Sequence, residues 1–506
     1  MKAQAQSLAY PSREHRPDRA VIDIGSNTVR LVIYAGSQRA PRTWLNEKVS
    51  ARLGRSLSET GRMPDKAMDQ ALGALARYAT ILADLGIEDV QTVATAAVRE
   101  AENGSAFLER VRLLGLSPRL LSGEEEAQGS AFGVVGAFPG AQGTVADLGG
   151  GSLELVMIER GDCHDGCSLP LGTLRLPALR ERGPDGFRKA IEKEMGKAGW
   201  AAAHPGPLYM VGGTWRALAA FAMQATDHPL TDPHGFLLDS GQADRLAKEV
   251  AKMAPADLTP IRGISSSRAA GLPDAAAMLR VMLAELQPDG LVFSSWGLRE
   301  GLLFRRLAAD ERQEDPLLAA VTEFAAPRGG LAAEAAAIVD WIAAPIRCDD
   351  DGAERLLSAA AILALAAMQV EPNLRARQAF EWAMDKRWIG LEAAGRARIA
   401  AALMAACGKL APFPELERLA TSESLRDAIA WGLAIRLARR LAPASRASLA
   451  GSKLERKDDE LVLSLPSDRA QLVSDKVLSE LKNLAQWLGL KAELKVTQPD
   501  LAIPLG

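Results

Sequence analysis

Two short segments hold the residues best suited to chemistry. In Asp23-Ile24-Gly25-Ser26-Asn27-Thr28 a hydrophobic strand delivers a carboxylate to its end, and a glycine then lets the backbone approach whatever sits there. The same grammar returns in Asp147-Leu148-Gly149-Gly150-Gly151-Ser152-Leu153-Glu154, now with three consecutive glycines. Tandem glycines present successive N–H groups without side-chain hindrance, which makes a cradle for phosphate oxygens. The hydroxyls of Ser26, Thr28 and Ser152 and the Asn27 amide add donors. The carboxylates of Asp23, Asp147 and Glu154 would repel a bare phosphate. Their presence beside two anion cradles implies a bridging Mg²⁺, which prefers oxygen ligands and keeps several waters. One such loop reads more readily as a tight hairpin with incidental acids; two, opening paired halves, favour phosphate binding.

The elements around them repeat. Strand-like runs at 19–24 and 28–34 flank the first turn, and a third strand is expected over 42–53. Residues 65–85 carry apolar side chains at helical spacing, followed by strand 90–95, helix 98–114, strand 118–121 and helix 124–135. After Pro139-Gly140 the pattern restarts with strands 143–147 and 153–158 about the second turn. Helix 185–203, strand 208–211, helix 214–225, helix 270–286, strand 290–293 and helix 297–307 follow. This is the pattern of an α/β protein with a duplicated domain and a cleft between its halves. Gly212-Gly213-Thr214, between a strand and a helix, can lend further amides to a chain of phosphates. From about residue 319 Ala-rich helical patterns run to about 442 without a strand. A polar joint at 450–459 then leads into a strand–helix–strand unit. The expected organisation is a loose tail (1–18), two α/β halves (19–139 and 140–310), a helical domain (311–450) and a small C-terminal domain (451–506).

Length and composition set bounds on this picture. The 506 residues exceed what one core serves and suggest about three domains. Apolar residues make up 48% and charged ones 24%, an ordinary globular balance. The net charge of −3 excludes a wholesale basic coat for nucleic acid, although a local basic groove fits within it. Four cysteines exclude a disulfide scaffold and fit a reducing, cytoplasmic setting. The polar N-terminus lacks the apolar core of a signal peptide, and the most apolar run, 356–370, is too short to span a bilayer. Cys163-His164-Asp165-Gly166-Cys167 looks metal-like but has no second pair nearby, and Cys348 and Cys407 stand alone.

Several segments together resemble one family. DIGSNTVRLVIY, the Arg52-Leu53-Gly54 step, TVATAAVREAENGSAF, LLSGEEEA, DLGGGSLELV, LPLGTLRL, VGGTWRALA and SSWGLREGLL occur in the order seen in exopolyphosphatases and guanosine pentaphosphate phosphohydrolases. These make up the Ppx/GppA family of the actin-like ATPase superfamily (the ASKHA, ribonuclease H-like fold). The resemblance covers about residues 20–307. It implies two actin-like halves and hydrolysis of terminal phosphates from linear polyphosphate. It further implies Mg²⁺ dependence, with K⁺ a candidate activator, and a homodimer. Three adjacent acids, Glu124, Glu125 and Glu126, open a helix and cannot all point one way. From the residues alone an acidic turn favouring the helix dipole reads equally well. The resemblance assigns the water-activating role to Glu126, whose pKa neighbouring phosphate would raise toward neutrality. It likewise promotes Arg99 from a surface arginine to a clamp that holds phosphate oxygens as charge develops. Gly212-Gly213-Thr214 matches the phosphate site of the family's second half.

The long members of the family often carry an HD-type helical domain that binds metal through His and Asp. The five histidines here are His15, His164, His204, His228 and His234, so a histidine-based metal site beyond residue 234 is excluded. The helical region therefore reads as a non-catalytic, HD-like scaffold for dimerisation or substrate guidance. Within it Arg436, Arg439 and Arg440 read by default as a solvated face, with lining of a polyanion's approach as the sharper alternative. The leading function is an exopolyphosphatase acting on inorganic polyphosphate, and conversion of guanosine pentaphosphate to tetraphosphate is the nearest rival. An actin-like ATPase or sugar kinase and a catalytically silent polyphosphate sensor are the other classes. Neither a nucleic-acid nor a membrane partner is expected.

Overall fold

The computed structural model describes residues 16–203, 206–346, 352–410, 413–443 and 446–497. It divides into two compact units, Met1–Pro316 and Leu317–Gly506.

The first unit holds two sheets built to one plan. Strands β1 (Pro17–Ile24), β2 (Val29–Ala35), β3 (Arg42–Val49), β4 (Asp89–Ala94) and β5 (Pro118–Leu120) form a sheet of order β3-β2-β1-β4-β5. The second sheet comprises β6 (Gly143–Leu148), β7 (Leu153–Glu159), β8 (Asp162–Leu169), β9 (Leu208–Val211), β10 (Leu237–Asp239) and β11 (Gly290–Ser294), in the order β10-β11-β9-β6-β7-β8. In each half the first strand runs antiparallel to the second and parallel to the fourth. Apart from the added edge strand β10, the second sheet therefore repeats the first, and the duplication legible in the glycine turns extends to the whole topology.

From Ala20 onward β1 and β2 are apolar apart from Asp23 and Arg30, because both faces of their sheet are covered. Ile22, Ile24, Leu31 and Ile33 pack toward Leu75 and Tyr78 of the helix Asp65–Leu85. The alternate residues Val21, Val32 and Tyr34 pack against Leu302 and Leu303 from the helix Leu298–Phe304. A helix late in the chain thus completes the first half's core. The second half has its own core, in which Val145, Val156, Tyr209 and Val211 meet Ala127, Ala131 and Val134 of the helix Gly123–Ala137.

Some elements differ from the sequence reading. The single helix expected over 98–114 is two, Ala96–Glu100 and Gly104–Arg112, broken where Ala101 turns extended (φ −80°, ψ 135°), and the tight turn that follows leaves a Cβ at Gly104 only 2.0 Å from the Val98 carbonyl oxygen. The helix expected to 203 ends as an α-helix at Met195 and continues as a 3-10 segment. β10 and the helix Ser240–Val250 were not anticipated.

The second unit is helical from Pro316–Ala325 through Ser422–Leu441, as its Ala-rich pattern predicts. It closes with β12 (Lys453–Lys457), β13 (Glu460–Pro466) and β14 (Lys491–Thr497), paired β12-β13-β14. The polar joint expected at 450–459 contains β12, for which Leu454 is the one buried anchor. Among the described residues no helix is long and apolar enough to cross a membrane.

Candidate active site

The two glycine turns meet. A Cβ on Gly150 would lie 3.3 Å from the backbone nitrogen of Asn27, and one on Gly151 would lie 2.8 Å from Ser26 Oγ. Both turns line one cleft of about 560 Å³. Each is held from behind by a bracing segment that takes up its carbonyls. Arg52 donates its backbone N–H to Asn27 O at 3.0 Å and Gly54 to Ser26 O at 2.8 Å. On the other side Gly172, Thr173 and Leu174 donate to Gly151 O, Gly149 O and Gly150 O at 3.3, 3.1 and 2.9 Å. Among the described residues no acceptor takes the N–H groups of Ser26, Asn27, Gly150 or Gly151, which remain available as donors. Donors clustered in this way suit an anion in the cleft, which would accept from several of them at once.

The third cradle lies beside them. Gly212 (φ 115°) caps the helix Gly213–Ala225 in a conformation that glycine alone adopts readily, and its approach to Leu148 O leaves only 2.7 Å for a Cβ. Gly212, Gly213 and Thr214 therefore line the same cleft at a helix N-terminus, where the dipole favours negative charge.

The three acids that open the helix Gly123–Ala137 part company. Glu125 closes a capping box, accepting the Ser122 backbone N–H at 2.8 Å while its own N–H donates to Ser122 Oγ at 3.1 Å. Glu124 accepts from Gln128 Nε2 on the exposed side. Glu126 turns inward and lines the cleft, with 13% of its side chain exposed. Burial pushes its pKa up to about 7, with Asp147 and Asp23 adding to the rise and Arg99 opposing it. Arg99 itself is absent from the residues lining the cleft; its Nη1 donates to Glu126 Oε2 at 3.1 Å and to Leu121 O at 2.8 Å. The arginine that the resemblance makes a phosphate clamp is paired here with the glutamate.

The carboxylates proposed as metal ligands are also sorted by depth. Asp23 and Asp147 line the cleft from the ends of β1 and β6. Asp23 Oδ2 accepts from Arg299 Nη1 at 3.1 Å, and Asp147 Oδ2 accepts from Ser130 Oγ. Burial, with Asp23 nearby, raises the Asp147 pKa. Glu154 is buried, is absent from the cleft lining and accepts from Ser168 Oγ at 2.9 Å. Burial and the charges of Glu126 and Asp147 hold it well above the ordinary carboxylate range. Among the described residues no three His, Cys, Asp or Glu side chains converge as a ready metal cluster. A divalent ion held by Asp23 and Asp147, with phosphate oxygens and water completing its shell, nevertheless fits what Mg²⁺ asks. Cys163 and Cys167 stand on β8 as free thiols, and Cys348 lies outside the described residues.

Seven cations to which the sequence reading gave no role line the cleft: Arg30, Lys48, Arg52, Arg55, Arg216, Arg268 and Arg299. Arg268 lies on the Gly213 backbone, 3.1 Å from where a Cβ would stand. Arg299 is fixed from both sides. Burial works against its charge, but Glu300, Tyr34 and Asp23 outweigh it and raise its pKa. Glu300 in turn accepts from Tyr34 Oη at 2.7 Å and from the Gly297 N–H at 3.1 Å. Arg216 and Arg299 stand inside segments already notable for other reasons, two residues after Thr214 and next to Glu300. Their spacing was a usable signal.

Fold and cleft together define a protein of two topologically matched α/β halves with a glycine-lined cleft between them. The chain belongs to the Ppx/GppA phosphatase family, whose profile matches residues 32–310. It is 28% identical over 308 residues to exopolyphosphatase 1 of Mycobacterium leprae (strain TN), covering 57% of this chain and 89% of that one. It is 27% identical over 311 residues to a guanosine-5'-triphosphate,3'-diphosphate pyrophosphatase of Aliivibrio fischeri (strain MJ11), covering 59% of this chain and 61% of the relative. Among solved structures, an exopolyphosphatase from Cytophaga hutchinsonii is similar with a TM-score of 0.52 and 25% identity, over 56% of this chain and 96% of that one.

Proposed function

We propose that this phosphatase is an exopolyphosphatase, releasing orthophosphate from the end of inorganic polyphosphate. The contact of the two glycine turns in a cleft that Glu126 also lines carries the reading. Amides from both turns and from Gly212-Gly213-Thr214 would hold the terminal phosphoryl group and the one behind it. Glu126, titrating near 7, would orient a water and take its proton during in-line attack on the terminal phosphorus. The P–O bond to the next phosphate breaks, and the shortened chain leaves with that oxygen. Arg216, Arg268 and Arg299 would offset the charge on the departing oxygen. Phosphoryl transfer asks little covalent work of a protein, so position and charge supply most of the rate.

Asp23 and Asp147 would hold Mg²⁺, and Glu154, set behind Asp147, would support that site from below rather than join it. When bound, the ion would neutralise phosphate oxygens and help align the terminal group. Arg99 acts through Glu126, fixing its orientation and tempering its pKa.

The second reading is hydrolysis of guanosine pentaphosphate, favoured by the likeness to the pyrophosphatase relative. Phosphate release from long-chain polyphosphate, guanosine pentaphosphate and ATP, measured side by side with Glu126→Gln, tests both. The proposal expects polyphosphate to be the best substrate and the variant to lose its turnover. Faster turnover of guanosine pentaphosphate would move the assignment to the second reading, and unaffected release would remove Glu126 from its role.

A further inference from the structure

The two halves carry matching cross-strand rows that differ in chemistry. In the first half Asp23 on β1 sits opposite Arg30 on β2, and Arg30 sits opposite Lys48 on β3. In the second, Asp147 on β6 sits opposite Glu154 on β7, and Glu154 opposite Ser168 on β8. Directly opposed residues project to one face of a sheet, with strands about 4.8 Å apart. Each row therefore begins at a cleft carboxylate and steps about 10 Å outward to the third strand.

The second row is closed, since Glu154 is buried and already accepts from Ser168. The first is open and basic. Arg30 and Lys48 both line the cleft, half-buried and exposed respectively, and Arg52 and Arg55 continue the line beyond β3. No described carboxylate lies within ion-pair distance of any of these four side chains. Arg52 adds a second sign of function. It holds φ 58°, a left-handed conformation costing a non-glycine residue about 1–2 kcal/mol, while its N–H braces the first phosphate turn.

We propose that the row Arg30–Lys48, extended by Arg52 and Arg55, is the exit track along which the phosphates behind the terminal pair of a linear polyphosphate leave the cleft, over the first half and not the second. This rests on the polyphosphate reading above. It makes Lys48 and Arg55 determinants of chain-length preference, since Lys48 stands two strands out from the cleft carboxylate Asp23 and Arg55 continues beyond that strand, whereas Arg52 also braces the first phosphate turn.

The test is binding to full-length Glu126→Gln protein, with and without Lys48→Gln and Arg55→Gln together. The probes are pyrophosphate, long-chain polyphosphate and guanosine pentaphosphate over a salt series. Expected is at least tenfold weaker binding of long-chain polyphosphate with a shallower salt dependence, and less than a twofold change for pyrophosphate. Equal weakening of both, or no weakening of the long chain, overturns the track. A larger loss for guanosine pentaphosphate than for polyphosphate overturns the choice of occupant. Thermal melting of the double variant excludes misfolding, and the single variants serve if it melts early. Should the wild-type protein release no phosphate while the binding difference persists, the hydrolase reading fails and the track stands. Wild-type hydrolysis with unchanged long-chain KM in the double variant gives the reverse.

Discussion

Arg99 Nη1 stands 3.1 Å from Glu126 Oε2, and the same nitrogen holds the Leu121 carbonyl at 2.8 Å. The guanidinium is therefore tied to the end of β5 on one side and to the candidate base on the other. An ion pair that keeps 24% and 13% of its two side chains exposed lies between a surface bridge and a buried one, and its effect shows best in titration.

Glu126 must be ionised to accept a proton, so kcat/KM for phosphate release is expected to rise with pH through about 7. Arg99 lowers that pKa. Arg99→Gln should accordingly move the acidic limb of the pH profile to higher pH, while Arg99→Lys should restore part of it. A pH–rate series on all three proteins checks this, and an acidic limb that stays in place would separate Arg99 from Glu126.

The same shift has a sign in stability. A carboxyl whose folded pKa is raised above its unfolded value holds its proton longer when folded, so its contribution is full below about 4.5 and is lost as pH rises through about 7. Glu126→Gln removes this titration. Its turnover should fall about 10²–10⁴-fold, while the difference in Tm between pH 5 and pH 8 shrinks relative to wild type. Melting curves at the two pH values read the second effect independently of any substrate.

Much of this site was legible because strand ends and glycine turns are local features. Asp23 and Asp147 are followed within a few residues by the backbone that cradles phosphate, so one stretch of sequence displays both. What was not legible depends on register. Arg30 stands beside Asp23, and Glu154 beside Asp147, only through strand pairing. The offices of Glu125 and Glu126 likewise separate only once the capping box is formed. Arg268 and Lys48 come from opposite halves and have no sequence neighbour that betrays them, although their charges sense one another. The helix expected over 98–114 failed at a local turn, where Ala101 becomes extended and Gly104 comes up against the Val98 carbonyl.

Two glycines give opposite expectations for one substitution. A Cβ on Gly172 would fall 2.2 Å from the Gly151 carbonyl carbon and 2.3 Å from the Ser152 nitrogen, both backbone atoms of the second phosphate turn. Gly172→Ala should push that turn off its brace, lower stability by about 1–3 kcal/mol and raise KM for polyphosphate. Gly73, inside the helix Asp65–Leu85, has open space where a Cβ would stand. Gly73→Ala should stabilise by about 0.5–1 kcal/mol and leave KM alone. Paired melting and kinetic measurements decide whether the brace matters to the site.

The basic cluster of the helical unit is put to internal use. Arg436 Nε donates to Glu480 Oε1 at 2.7 Å, the pair keeping 24% and 8% of their side chains exposed, which ties the helix Ser422–Leu441 to the helix Asp475–Leu488. Arg439 is largely buried, and that burial lowers its pKa to about 10; Arg440 alone of the three is exposed. A solvent-facing guide for polyanions would not spend two of its three arginines this way. Removing Glu480 leaves a partly buried Arg436 without its acceptor, so Glu480→Ala is expected to cost about 1–3 kcal/mol. The double variant Arg436→Met, Glu480→Leu should recover most of that loss, because apolar packing replaces charges that no longer need each other. Arg440→Gln should leave stability within about 0.5 kcal/mol. Denaturant unfolding of the three variants measures each effect, and a Glu480→Ala protein as stable as wild type would return Arg436 to the solvated face that the sequence alone suggests.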